Sequence, residues 1–227
     1  MSNKNLSVII PTRNAASVLH ATLAAIRAEG PDVTIIVVDG ESTDDTATLA
    51  AAGGARVMAS VPGRGMQLAA GIAAATTAWV LLLHADTRLG AGWQTEAAGF
   101  MAVPANAGRA GYFRFALASK DPRARRLERL VAWRCRRLGL PYGDQGLLVA
   151  RQTLAALGGM RPLPLMEDVD LVRRFGRERL VALECPAVTS AARWQEGGWL
   201  RRSARNLACL GLWYAGMPPR LLVRLYA

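Results

Sequence analysis

The sequence predicts an α/β fold: a mixed, mainly parallel sheet flanked by helices, with a basic helical C-terminal tail. Three observations carry this. Short apolar, β-branched runs alternate with helix-patterned segments through residue 86. Those runs are apolar at consecutive positions, the pattern of strands covered on both faces. From about residue 198 the chain is rich in Arg, Leu and Trp at helical spacing.

LSVIIPT (6–12) reads as the first buried strand, and 16–28 as a helix with Val18, Leu19, Leu23 and Ile26 on its apolar face. VTIIVVDG (33–40) is the second strand. Ser42 with Asp45 three residues on resembles a capping box opening a helix through about 52. ARVMAS (55–60) is a third strand, 65–76 an Ala-rich helix, and AWVLLLHAD (78–86) a fourth strand. GRAGYFRFAL (108–117) is a strand, 122–138 a strongly basic helix, and GDQGLLVA (143–150) a turn and strand. Residues 151–158 and 166–176 read as helices, and 180–191 as one or two short strands. The expected organisation is one α/β domain over 1–197 with an amphipathic tail, 198–227, packed on it.

The 227 residues, 52% hydrophobic and 20% charged, can bury a substantial core, which excludes disordered and collagen-like classes. Three cysteines (Cys135, Cys185, Cys209) without a CxxC pair argue against a disulfide framework and a structural zinc site, so a reducing, cytoplasmic setting is expected. The N-terminal apolar run is too short for a signal peptide, and the run 207–217 too short to span a bilayer. Charge is segregated: residues 1–119 balance 8 basic against 8 acidic side chains, whereas 120–227 hold 20 against 9. A one-sided basic surface implies an anionic partner. Helix 122–138 and the tail place Arg beside Trp133, Trp199, Trp213 and Tyr214, which fits an interfacial helix on an anionic membrane surface, and equally helices that cap the sheet or form a homodimer contact. No helix-turn-helix, zinc-finger or RNP-like pattern points to nucleic acid.

Ligands of open parallel sheets bind outside the carboxyl ends of the strands. Here those ends read Pro11, Thr12, Arg13, Asn14; Asp39, Gly40, Glu41; Gly63, Arg64, Gly65; and His84, Ala85, Asp86. Asp, Asn and Gly also terminate strands for purely local reasons, although four polar edges together are harder to explain so. No GxGxxG follows the first strand, and GRGMQLAAG lacks the GK[ST] of a P-loop. A carboxylate at a buried strand end, such as Asp86, suits a divalent cation (Mn2+ or Mg2+) shared with a diphosphate; His84 is either a softer ligand or a supporting donor. In MEDVDL (166–171), acidic residues in a first helical turn also favour the helix dipole. Asp168 shares a face with Leu171, Val172 and Phe175, so its carboxylate is expected at the edge of the buried stripe, where desolvation raises basicity. Asp170 points elsewhere, toward Arg173 or Arg174.

VIIPTRN, VVDGESTDDT, LLHADT, LGGM and MEDVDLVRR occur in the order and spacing of family 2 glycosyltransferases with the GT-A (Rossmann-like) fold. The resemblance covers residues 6 to about 195. GRGMQLAAG, LPYGDQG, LPLMEDVDL and TSAARW are similar to a bacterial subgroup described as radical-SAM/selenodomain-associated, or arsenosugar-biosynthesis, transferases. The resemblance implies an inverting transfer of one sugar from a nucleoside-diphosphate sugar to the hydroxyl of a small-molecule or lipid-linked acceptor. It assigns Pro11, Thr12, Arg13, Asn14, Asp39, Glu41, Arg64, Gln67 and Asp86 to the donor, and Asp86 with His84 to the metal. Asp168 becomes the catalytic base, and Asp144, Gln145, Glu167, Arg193 and Trp194 serve the diphosphate and acceptor. Three departures stand out: His84 replaces the first Asp of DXD, Ala15 the Glu that often follows PxxN, and Ser190 the Gln of QxxRW. The last argues against a processive polymerase.

Two other readings compete. A nucleotidyltransferase would show a Gly-rich, basic first loop, which PTRNAAS is not. A non-catalytic basic membrane-binding module draws support from the charged second half alone.

Overall fold

The computed structural model describes residues 5–226, apart from the side chain of Arg193. Its first half alternates as the hydrophobic runs require: β1 (Leu6–Thr12), α1 (Ala16–Glu29), β2 (Thr34–Asp39), α2 (Thr46–Ala52), β3 (Arg56–Ala59), α3 (Arg64–Ala74) and β4 (Trp79–Leu82). Then follow β5 (Thr87–Leu89), α4 (Trp93–Ala102), β6 (Ala110–Leu117), α5 (Pro122–Leu138), β7 (Leu147–Ala150), α6 (Arg151–Ala156), α7 (Glu167–Phe175) and β8 (Leu180–Thr189). Three helices end the chain: α8 (Ala192–Gly197), α9 (Trp199–Tyr214) and α10 (Pro219–Tyr226).

The strands form one eight-stranded sheet in the order β3-β2-β1-β4-β7-β6-β8-β5. The β3-β2-β1-β4 half is parallel throughout. Beyond β4 the sheet is mixed: β7 runs antiparallel to β4 and β6, β8 parallel to β6, and β5 antiparallel to β8. Parallelism is therefore confined largely to the first half.

Alternate residues of the central strands feed two core layers, as a period of two requires. Val8, Ile10, Val37 and Leu81 face α1 and α4, with Leu19, Leu23, Ile26, Trp93 and Phe100. Ile9, Ile36, Val38, Val80 and Leu82 face α3, α5 and α7; Trp199, Cys209 and Leu222 of α9 and α10 belong to this second layer. Burying such a side chain fully contributes about 1.5–3 kcal/mol, which is why β1 is enclosed along its whole length.

Four local expectations change. Ser42 does not cap α2: Asp45 is the N-cap residue, and the Ser42 hydroxyl turns instead to the carboxylate of Asp39. The fourth strand stops at Leu82, freeing 83–86 to form a loop at the sheet edge. β5 and α4 lie in a stretch without a clear periodic signal. Trp199, which the membrane reading of the tail would place on a lipid-facing surface, is only 8% exposed, with the Arg123 guanidinium 5.6 Å from its ring. Arg134, Arg173, Arg202 and Arg205 likewise lie over aromatic rings, so the arginines do not form one outward stripe. Among the described residues, no helix is long and apolar enough to cross a membrane.

Candidate active site

The ends of β1 and β2 carry the first cluster. Asn14 and Glu41 both adopt left-handed backbone (φ 49° and 59°), a conformation uncommon for residues other than Gly. Their loops are laced together. The Asn14 N–H donates to Ser42 Oγ (2.8 Å), and Asn14 Oδ1 accepts from the Thr43 N–H (2.8 Å). Asp39 is clamped from three donors: the Ser42 hydroxyl (2.5 Å) and Thr12 hydroxyl (3.2 Å) on Oδ1, and the Ser42 N–H (3.0 Å) on Oδ2. Arg13, Asn14 and Glu41 are exposed, while Pro11 and Thr12 are buried.

The second cluster surrounds a cavity of about 350 Å3, in the size class of small-molecule sites. Arg64, His84, Asp86, Asp144, Asp168 and Trp194 line it. They come from α3, the β4–β5 loop, the turn before β7, α7 and α8, all brought to one edge where the strand order crosses from β4 to β7. Met166 enters α7 with a φ of 65°, the third non-Gly residue with positive φ among the described residues. All three flank candidate site residues, as expected where backbone strain serves a site. The Met166 turn sends Glu167 into the protein and leaves Asp168 half-buried against the cavity.

Asp168 is held at both oxygens: Oδ2 accepts the Gly143 N–H (2.8 Å) and Oδ1 the Val169 N–H (2.8 Å). A carboxylate has roughly four lone-pair sites, so capacity for an acceptor hydroxyl remains. Burial acts on a neighbouring carboxyl in the same cavity. Burial pushes Asp144 up to about 6 against the attraction of Arg134, with Asp168 and Asp86 adding repulsion. Asp144 Oδ1 is enclosed with no hydrogen-bond partner among the described residues.

This donor set fits a hard divalent cation. Asp86 offers carboxylate oxygens, Asp144 an uncommitted one, and such ions complete their shell with water and phosphate oxygen. Among the described residues no three His, Cys, Asp or Glu side chains form a closed metal cluster, so any cation here depends on ligands beyond the protein. His84 sits close under Gly143: a Cβ at 143 would lie 2.5 Å from His84 Nε2.

Three expected ligand-binding residues are structural braces. Gln67 is 4% exposed and donates Nε2 to the carbonyls of Thr12 (2.6 Å) and Val38 (2.8 Å), tying α3 to the ends of β1 and β2. Gln145, 2% exposed, donates to the Phe113 carbonyl (3.0 Å) and accepts from the Cys135 thiol (3.1 Å). Glu167 is fully enclosed and pairs with Arg64. Burial opposes the charge on Arg64, but Glu167 and Asp168 outweigh it and raise its pKa. Gly65 permits this pairing, because a Cβ there would strike the Leu163 carbonyl at 2.6 Å and push the start of α3 away. Asp170 is an intrahelical and loop anchor, bound by Arg174 (2.9 Å) and Arg161 (2.8 Å).

Pro11–Asn14, Asp39 and Glu41 stand at the same sheet edge but not in the cavity lining. The Arg193 side chain lies outside the described residues. The sequence reading missed the cavity's outer wall, built by α5, α9 and Tyr226 of α10. The available signal was the repeat of Leu127, Val131 and Cys135 at every fourth position of α5, which marks an inward face on a helix that is otherwise basic.

Comparison with known proteins bears on the family and the fold. Over 93 residues the chain is 43% identical to uncharacterized glycosyltransferases of Mycobacterium tuberculosis and Mycobacterium bovis; the match covers 40% of this chain and 41% of those relatives. Among solved structures, glucosyl-3-phosphoglycerate synthase from Mycobacterium tuberculosis in complex with Mn2+ and UDP-glucose aligns with a TM-score of 0.64 at 19% identity, over 95% of this chain and 80% of that one. The mannosyltransferase PcManGT from Pyrobaculum calidifontis, in complex with GDP-Man and Mn2+, aligns with a TM-score of 0.65 at 20% identity, over 90% and 61%. The fold is thus the α/β, GT-A-like one, with a mixed sheet between helices. Residues 7–151, from the start of β1 to the first residue of α6, match the family model for glycosyl transferase family 2, and the chain belongs to that family.

Proposed function

We propose that this chain transfers one sugar from a nucleoside-diphosphate sugar to an acceptor hydroxyl, with inversion at the anomeric carbon. The observation that carries the reading is the gathering of Asp86, Asp144 and Asp168 around one cavity at the strand ends. The solved neighbours with bound Mn2+ and UDP-glucose or GDP-mannose support the donor class.

The clamped Asp39 and the laced loops at Asn14 and Glu41 form a fixed seat for the nucleoside, needing no rearrangement on binding. Asp86 would hold the cation with Asp144, His84 supporting from under Gly143. When bound, the cation supplies positive charge to the diphosphate. Asp168 takes the proton as the acceptor O–H bond breaks. The acceptor oxygen bonds the anomeric carbon while the carbon–oxygen bond to the diphosphate breaks, its electron pair leaving with the diphosphate. Residues 1–197 constitute the catalytic unit on this reading and 198–227 a helical wall packed on it. The motif resemblance to arsenosugar-biosynthesis transferases makes that subgroup's chemistry a place to look for acceptors.

The test is calorimetric titration of UDP and GDP with Mn2+ or Mg2+, followed by transfer assays with UDP-glucose and GDP-mannose. Asp86→Ala is expected to lose metal-dependent nucleotide binding by about tenfold or more, and His84→Ala by less, because a hard cation prefers carboxylate oxygen to imidazole. Nucleotide binding that ignores the metal and both substitutions would overturn the proposal.

A further inference from the structure

The cavity that holds the carboxylates has a second chemistry on its other walls. Leu127, Leu130, Val131 and Trp133 of α5 face Leu207 and Leu210 of α9 across it. Several of these residues also reach the surface: Leu130 is 63% exposed, Trp133 53% and Leu207 64%. The apolar lining therefore continues outward to a mouth between the two helices. Three residues of the lining carry a polar atom enclosed without a hydrogen-bond partner among the described residues: Trp194 Nε1, Arg202 Nε and Asn206 Oδ1. Buried polar atoms are rarely left unsatisfied, so three on the walls of one cavity mark places where a ligand's polar groups complete the bonding.

The cavity is poorly suited to a small acidic acceptor. Two of its guanidinium groups are already engaged, Arg64 by Glu167 and Arg134 by the Leu140 carbonyl (2.8 Å) and the Tyr142 ring, while Arg202 gives one terminal nitrogen to the Tyr226 hydroxyl (3.2 Å). Three carboxylates line the same space. The geometry points to an amphipathic acceptor, with a hydroxylated polar head at Trp194, Arg202, Asn206 and Asp168 and a hydrocarbon or aromatic body between α5 and α9. This inference rests on the transferase reading for the word acceptor, but the binding it describes does not.

The test follows tryptophan fluorescence as octyl β-D-glucoside, kept below micelle-forming concentration, is titrated into the full chain, with glucose and 3-phosphoglycerate as comparisons. Octyl glucoside is expected to bind saturably and at least tenfold tighter than either comparison. Leu130→Glu and Leu207→Glu, both at exposed positions, are expected to weaken it tenfold or more. Octyl glucoside binding no tighter than glucose, unchanged in both variants, or weaker than 3-phosphoglycerate would overturn the inference. UDP with Mn2+ is titrated separately: its failure to bind would sink the transferase reading while leaving the cavity result standing. Phosphatidylglycerol vesicles distinguish the source of the apolar body. Sedimentation with vesicles that Leu207→Glu abolishes assigns it to a membrane lipid, and saturable monomer binding without sedimentation to a soluble amphiphile; either supports the amphipathic class.

Discussion

Asp39 and Asp144 both stand at the edge of the sheet beside a strand end, yet their surroundings are opposite. Asp39 has three donors on its two oxygens, in a loop pair fixed by side chain-to-backbone bonds. Asp144 has one oxygen enclosed with no partner, and burial pushes its pKa to about 6. The parallel half of the sheet has its hydrogen bonds complete as it stands. The mixed half is a site whose carboxylates repel one another and are only partly offset by Arg134 and Arg64. On the proposed reading, the half that would seat the nucleoside by shape and hydrogen bonds is rigid, and the half where charge would be neutralised during the reaction carries negative charge that is only partly offset.

The sharpest way to break this comparison is Asp168→Asn. Removing a general base costs 10²–10⁴ in rate, so transfer is expected to fall by at least about 10²-fold while UDP–Mn2+ affinity, measured by calorimetry, stays near wild type. Near-normal turnover in the folded variant would remove Asp168 from the chemistry.

Next in size is Arg64→Ala. It strands the fully enclosed Glu167 without its cation, and burial already raises the pKa of that carboxyl. Stranding a buried charge costs about 3–5 kcal/mol; with Arg64 partly exposed, a loss of about 2–3 kcal/mol is expected by urea denaturation. Glu167→Gln should cost less, because the cation it leaves, Arg64, is partly exposed and still faces Asp168.

Asp144→Asn tests the incompletely compensated half directly. The folded-state pKa lies above the ordinary 3.8, so the folded protein binds the extra proton and wild-type stability falls as pH rises from about 4 through about 6. The variant is therefore expected to be more stable than wild type by about 1–3 kcal/mol above pH 6, with the gap closing below pH 4. Thermal melts across that range in chelator-containing buffer read it, and a gap that is constant with pH would contradict the burial argument.

The smallest effect belongs to the completed half. Ser42→Ala removes the hydroxyl that donates to Asp39 and accepts from the Asn14 N–H. About 1 kcal/mol of stability should be lost. If the loops seat the nucleoside, KM for the donor should rise with little change in kcat; a fall in kcat alone would place Ser42 elsewhere in the function.

Much of this was legible from residues alone where the determinants are local. Helix α5 begins at Pro122 behind the Asp121 cap and ends before Gly139 in a left-handed turn, and each of those signals is readable in sequence. β5 is not readable: its three residues are a strand only because they pair with β8, a hundred positions away. The site divides on the same line. Asp86 and Asp168 were visible as carboxylates at a strand end and a helix start. What sequence could not separate was a polar side chain facing the cavity from one turned back to satisfy backbone, which is what distinguishes Asp144 from Gln145 and Asp168 from Glu167. The outer wall depends on α9 standing across the cavity from α5, and its arginines read as a surface because stacking on aromatic rings leaves no trace in charge counts.

The close approach of Gly143 to His84 makes those two positions a single unit of variation. The imidazole fills the space that a Cβ at 143 would take, at 2.5 Å from Nε2, and the same Gly143 supplies the N–H that holds Asp168. A shorter side chain at 84, such as the aspartate that more commonly opens this motif, would vacate that space and release residue 143 from being glycine. With histidine at 84 in this position, a Cβ at 143 has to displace the imidazole. The identity of residue 84 is thus coupled, through one missing methyl group, to the freedom of the turn that holds Asp168.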